Sequence, residues 1–333
     1  MSLSKVGKKT NYLEAIESDL LQQPAVQVWL QISPEYAAPR RVEHLRHLSS
    51  SAFVCRMLGV GKNGGSVIAK RCDMVSGQME RMFYEEVLPQ LTMSKLEYYG
   101  SFQEGDEYLW LFLEDAGGRR FSFSNEEDRH AAVKWLAGLH TSSSQLQKPA
   151  GLVERGPDYY IERLHTAQSI LRSHVDDSVL SATDRQTLVE GLEQMQSAAD
   201  SWQHIQALYE RLPQCVTHGD FKKKNIHLRV DEDQTSIFAF DWENGGWGIP
   251  GVDMWKLDEE EYMQAVNGHW PQSDISTIRE TKYLGTIFRS IDGFFWEVKS
   301  LKYADNTDVR LRVIERLFRF RFHIAGAMQA LNL

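Results

Sequence analysis

Residues Cys215–Glu243 read CVTHGDFKKKNIHLRVDEDQTSIFAFDWE. Asp220 and Asn225 stand five residues apart and flank Lys222, Lys223 and Lys224. Asp241 follows sixteen residues after Asn225, at the end of the apolar run Ile237-Phe238-Ala239-Phe240. That run is short, bounded by polar residues and rich in aromatic and β-branched side chains, which predicts a buried strand. A carboxylate placed where a buried strand stops is not there for packing. Two carboxylates and an amide are hard oxygen ligands of the kind Mg²⁺ takes alongside phosphate oxygens.

The rest of the chain sets bounds on this stretch. At 333 residues it is long enough for one large or two modest domains. A net charge of −9 argues against a nucleic-acid partner, whose footprint would be basic. The three cysteines, Cys55, Cys72 and Cys215, show no CxxC spacing and suit a reducing cytosol. MSLSKVGKKTNY at the N-terminus is basic, but no apolar signal-peptide region follows it. No apolar run approaches the roughly 18 residues of a membrane span. A cytoplasmic protein is expected, with a small-molecule partner and neither nucleic acid nor membrane.

Upstream, the patterning is strand-like. RVEHLRHL (41–48), AFVCRMLGV (52–60) and SVIAKRC (66–72) are expected strands, and the glycine-rich GKNGG between the last two is expected to be a tight turn. Residues 77–91 predict a helix whose apolar face also carries Glu80. KLEYYGSF and YLWLFLE predict two further strands. Residues 1–33 are expected to hold one or two short helices, since Leu13, Ile16, Leu20 and Leu21 fall at helical spacing until Pro24 interrupts. After Gly117-Gly118 the signal turns helical. Ser124 with Glu127 is a capping-box pattern for a helix ending near His140. Residues 158–174, 184–212 and much of 251–333 read as further helices. The expected fold class is α+β and two-lobed. Residues 1–113 form a small β-rich lobe with one key helix, residues 114–333 form a larger, mainly helical lobe, and a cleft lies between them.

These residues suggest phosphoryl transfer, which needs a positioned acceptor, neutralised phosphate and held Mg²⁺. Asp220 can orient a substrate hydroxyl and accept its proton. Asn225 and Asp241 can ligate the metal, and Lys222 can reach the transferred group. Lys70 ends the apolar strand Val67-Ile68-Ala69-Lys70 and needs an acidic partner. Glu80 is the candidate, because Glu85 and Glu86 fall on other faces of the predicted helix.

HGDFKKKN, then FDWE, then the Gly248–Asp253 stretch, resembles the aminoglycoside phosphotransferase and choline kinase-like family, with its protein-kinase-like fold. The upstream VIAK, Glu80–Tyr84 and LFLED at Leu111–Asp115 match the same order, so the resemblance spans residues 41–260. It implies an ATP-dependent small-molecule kinase acting on a hydroxyl. Asp220 would be the base, and Asn225 and Asp241 the Mg²⁺ ligands. Lys70, paired with Glu80, would hold the α- and β-phosphates. The backbone of Leu111, Phe112 and Leu113 would meet adenine. Ser49, Ser50 and Ser51 would form the loop over the phosphates. Asp253 and His218 would brace the catalytic loop. Lys222 stands where protein kinases carry a lysine that meets the γ-phosphate, and is assigned a catalytic role with Asp220.

Other readings compete. GVGKNG at Gly59–Gly64 satisfies G-x-G-x-x-G, yet a strand rather than a helix follows it, so a hairpin turn is the better account. Lys223 and Lys224 are expected to be solvated. Asp258–Glu261 could attract a cationic substrate, and Trp255, Tyr262, Trp270, Phe294, Phe295 and Trp296 could cage one. A solvated helix face and core packing are the bland accounts. For the chain as a whole, a nucleotide-binding pseudokinase and a metal-dependent phosphoesterase built on His218, Asp220, Asn225 and Asp241 are the alternatives.

Overall fold

A computed structural model of the chain describes residues 14–32, 37–46, 53–176, 180–231, 234–270, 272–301 and 307–333. The chain divides into two units. The first runs to Gln90 and adds Ser94–Phe121 and Lys222–Asn244. The second takes Leu91–Met93, Ser122–Phe221 and Gly245–Leu333.

The first unit is built on six antiparallel strands: β1 (Glu14–Ile16), β2 (Arg41–Arg46), β3 (Phe53–Leu58), β4 (Ser66–Asp73), β5 (Tyr98–Glu104) and β6 (Tyr108–Glu114). Their spatial order is β1-β2-β3-β4-β6-β5. Strand side chains alternate between faces. Phe53, Cys55 and Met57 therefore join Val67, Ala69, Trp110 and Phe112 in one core. Helix α1 (Pro24–Ile32) covers that face with Val26 and Trp29. Of the one or two short helices expected within residues 1–33, Leu20–Gln22 forms a 3₁₀ turn and Pro24–Ile32 an α-helix, while Glu14–Ile16 is a strand paired with β2. Pro24 opens a helix rather than ending one, because a first-turn residue needs no N–H partner.

Helix α2 (Met74–Met82) is capped by Asp73, whose side chain accepts from the Ser76 N–H at 3.0 Å. It continues as one π turn, Phe83–Val87, and a 3₁₀ turn, Leu88–Gln90. Gly77 lets it lie close on β6, since a Cβ there would sit 2.8 Å from the Leu109 Cβ. A second sheet of the same unit, in order β10-β9-β7, is formed by β7 (Arg119–Arg120), β9 (Ile226–Asp231) and β10 (Gln234–Ala239).

The second unit pairs β8 (Cys215–Thr217) with β11 (Gly246–Gly248) and is otherwise helical. Its helices are α3 (Glu126–Ser144), α4 (Pro157–His174), α5 (Ala182–Asp200), α6 (Trp202–Glu210), α7 (Glu259–Val266), α8 (Ile275–Leu301) and α9 (Thr307–Ala330). The cap of α3 is Asn125, one residue beyond the expected Ser124; both types cap well. The helix expected over 184–212 breaks at Ser201 into α5 and α6. The core gathers Leu164, Leu171, Met195, Phe288, Ile291 and Leu317. At one point α8 meets the Pro250–Val252 turn backbone to backbone. A Cβ on Gly285 would fall 2.0 Å from the Gly251 carbonyl carbon.

The β-rich first unit and helical second unit make the chain α+β. All three cysteines are buried and unpaired. No helix among the described residues is long and apolar enough to cross a membrane.

Candidate active site

Period-two alternation explains why Lys70 is available for chemistry. Val67 and Ala69 face the α1 core, so Ile68 and Lys70 point the other way. Lys70 Nζ lies 2.6 Å from Glu80 Oε2 and 2.5 Å from Asp241 Oδ1. Glu85 and Glu86 are exposed, and Glu85 accepts from the Tyr98 hydroxyl. Burial opposes the Lys70 charge, but the carboxylates of Glu80 and Asp241 outweigh it and hold the pKa well above the ordinary lysine value. Burial raises the Glu80 pKa more than Lys70 lowers it. Glu80 Oε1 is buried with no hydrogen-bond partner among the described residues. Glu243 is also raised, by burial and then by Asp241.

Asp241 and Asn225 are neighbours through the β9–β10 hairpin. Ala239 pairs with Ile226, and the next residue, Phe240, donates its N–H to the Asn225 carbonyl at 3.1 Å. Asp241 then leaves the strand at φ 70°, in the left-handed region non-glycine residues rarely occupy. Such strain gathers at functional sites. Asn225 is buried. Lys224, expected to be plain surface charge, is exposed but reaches 3.9 Å from Asp241 Oδ2. Lys222 and Lys223 are exposed. A carboxylate flanked by two lysines and adjoining an amide fits Mg²⁺: the donors are hard oxygens, and the carboxylate already draws cations. Asn225 and Asp241 are the residues that could hold it.

A cavity of about 610 Å³ opens in this unit, lined by Val54, Ile68, Lys70, Leu113, Ala116 and Asp241 among others. That volume is in the range of small-molecule and cofactor sites. Of Leu111–Leu113, whose backbone is expected to meet a base, Leu113 lines this cavity. Leu111, Phe112 and Leu113 pair with β4 on one side and β5 on the other, so the sheet ladder occupies that backbone. The chain leaves the sheet at Glu114, and Glu114–Gly118 forms the cavity edge. Arg229, which no sequence motif marks, fastens this edge. Its Nε donates to the Ala116 carbonyl at 2.6 Å, its Nη2 to the Asp115 carbonyl at 2.7 Å and its Nη1 to Glu114 at 2.7 Å. Ser49, Ser50 and Ser51 lie outside the described residues.

In the second unit, the loop bearing Asp220 is held by Asp253. This buried carboxylate accepts from the His218 N–H at 2.7 Å and the Gly219 N–H at 2.9 Å, with His140 Nε2 at 3.4 Å. Burial would raise its pKa, but the His140 bond and His218 bring it below the usual aspartate value. Gly219 takes φ 73°, which a side chain would resist. The Asp220 N–H donates to His218 Nδ1 at 3.3 Å. His218 is fully buried within the loop's own bonding, which weakens the phosphoesterase alternative. Among the described residues no three His, Cys, Asp or Glu side chains form a metal-holding group.

The chain belongs to the phosphotransferase enzyme family, whose model matches residues 59–268. The fold is protein-kinase-like. Aminoglycoside phosphotransferase APH(2'')-Ib, solved with ADP, superposes with a TM-score of 0.55 at 12% identity, covering 91% of this chain and 99% of that one. Wild-type aminoglycoside 2'-phosphotransferase-IIIa, solved with GDP, gives 0.58 at 16% identity, covering 90% and 99%. Choline kinase from Cryptosporidium parvum gives 0.61 at 11% identity, covering 92% and 94%. A comparison with curated proteins finds no match.

Proposed function

We propose that the chain is an ATP-dependent small-molecule kinase that transfers the γ-phosphoryl group to a substrate hydroxyl. The observation that carries this reading is the Lys70 ammonium between Glu80 and Asp241. A buried lysine tied to a helix glutamate can be presented to phosphates with little reorganisation. Asp220 is assigned as the base: the acceptor O–H proton passes to its carboxylate as the oxygen bonds to phosphorus and ADP leaves. Asn225 and Asp241 are assigned as the residues that would hold Mg²⁺, which would there supply neutralisation of phosphate charge. Lys222 is assigned to the transferred phosphoryl group. Leu113 of the stretch Leu111–Leu113 lines the cavity and is assigned to the base together with Ala116, Val54 and Ile68.

Relatives solved with ADP and with GDP support nucleotide use, and make GTP the competing donor. The buried, partnered ions favour an active enzyme over a pseudokinase. Asp220→Ala tests the reading. Acceptor-dependent turnover should fall about 10²–10⁴-fold while nucleotide affinity is kept, as for loss of a general base. Full turnover in that variant excludes Asp220 as base.

A further inference from the structure

The acidic run Asp258–Glu261 and the aromatic residues around it suggest a cationic acceptor, but the structure points elsewhere. Asp258 is spent capping α7, accepting from the Glu261 N–H at 2.9 Å. Glu259 is paired with Lys282 at 2.5 Å and Glu261 with His130 at 2.5 Å, while Glu260 lies 3.9 Å from Arg279. The Trp255 ring, the best candidate to cage an ammonium, already faces protein cations. Lys256 Nζ lies 4.5 Å from its centroid and the Arg289 guanidinium carbon 5.2 Å, with the His323 ring at 6.1 Å. A cationic ligand would have to displace these groups or add to their repulsion.

The Lys256 and Arg289 cations gathered on one ring need a counter-charge. Among the described residues neither forms an ion pair with a carboxylate. Two of the acids that act on Arg289 are committed: Asp253 to the His218–Gly219 amides and Asp292 to Arg163 at 2.8 Å. Arg289 Nη1 donates to the Val252 carbonyl, but its Nη2 is buried without a hydrogen-bond partner among the described residues. A buried guanidinium donor left unmade is costly. His323 is lowered by burial and then by Arg319, Arg289 and Lys256, all cations. Lys256 is exposed and sits at φ 65°, a strained conformation of the kind kept at binding sites. Asp220 is the acid that acts most strongly on Arg289.

We propose that the acceptor carries an anionic group, carboxylate or phosphate, besides its hydroxyl, and that Arg289 and Lys256 at Trp255 receive it. This rests on the kinase reading above and specifies its substrate class. A planar guanidinium with a spare donor suits a carboxylate or phosphate, and the exposed Lys256 adds charge.

The test uses the full chain and acceptors differing in charge: gluconate, ribose 5-phosphate, ribose and choline. Each is assayed for ATP and GTP turnover, and for calorimetric binding with a non-hydrolysable nucleotide present. Gluconate or ribose 5-phosphate should exceed ribose and choline by about tenfold or more in affinity, as for a charge-assisted hydrogen bond. Which of the two wins separates a carboxylate from a phosphate site. Lys256→Asn removes the charge while keeping a residue that tolerates φ > 0, and should weaken anion binding about tenfold. Lys256→Glu should shift the preference toward choline. Turnover of ribose or choline with no binding of either anion overturns the anionic site and leaves the kinase reading standing. Anion binding without phosphorylation of any acceptor keeps the site and counts against the kinase reading. Binding of neither anion, or unchanged anion affinity in Lys256→Asn, also overturns it.

Discussion

Lys70 shows most directly how one side chain carries several consequences. Its ammonium neutralises two carboxylates in a site where the Glu80 side chain is 1% exposed. Removing it strands those charges, and breaking a buried pair costs about 3–5 kcal/mol. Lys70→Met should therefore lower unfolding free energy by about that much at pH 7, measured by denaturant titration; a loss below about 1 kcal/mol would mean solvent already screens the pair. Because the folded lysine pKa is raised, this contribution is fully present below the ordinary lysine value of 10.5 and is lost only as pH rises through the higher folded one. Glu243 has the opposite sign. Its raised folded pKa means ionisation is disfavoured by the fold, so stability grows as pH falls through that value. Glu243→Gln should raise Tm at pH 8, and the gain should vanish as acid protonates the wild-type carboxyl. A Tm difference that does not change with pH would rule out this account. The pairing of a strand lysine with a helix glutamate was readable from periodicity. The second partner, Asp241, was not, because it lies 171 residues further along the chain.

At the scale of elements, local pattern worked where one face decides the structure. The alternation in β3 and β4 was legible because only one face of that sheet packs on α1. It missed the strand Glu14–Ile16, whose edge pairing with β2 is a long-range contact no local window contains. Glycines on helices need the same distinction. Gly285 touches another backbone, whereas Gly326 on α9 has nothing within 4 Å of its would-be Cβ. Gly285→Ala should cost at least the roughly 1–3 kcal/mol of an overpacked core, since a backbone cannot step aside as a rotamer can. Gly326→Ala should stabilise by about 0.5–1 kcal/mol through reduced backbone entropy. Thermal unfolding of both variants checks the pair; equal shifts would contradict the close approach of α8 to Pro250–Val252.

For the whole molecule, ligand linkage is the most direct readout. A nucleotide held at 100 times its Kd adds about 2.7 kcal/mol to folding. If Asn225 and Asp241 hold Mg²⁺, most of the stabilisation by ATP or GTP should disappear on chelation, and Asp241→Ala should remove the Mg²⁺-dependent part. Calorimetric scans with nucleotide, with and without a chelator, measure this. An equal nucleotide shift in the presence of chelator would exclude a metal role for this pair.

The sequence by itself determined the family and the α+β class and named Lys70, Glu80, Asp220, Asn225 and Asp241 as candidates, because spacing within a strand or loop is a local property written in consecutive residues. Only the tertiary structure decided that Asp241 shares Lys70 with Glu80, that Arg229 pins the cavity edge and that the backbone of Leu111–Leu113 is closed off by strands on both flanks. It also decided that Arg289, Lys256 and His323 meet at one tryptophan while the acidic run is paired away. Those facts depend on which distant segments meet, and the hydrophobic pattern says which face of an element is buried but not what it is buried against.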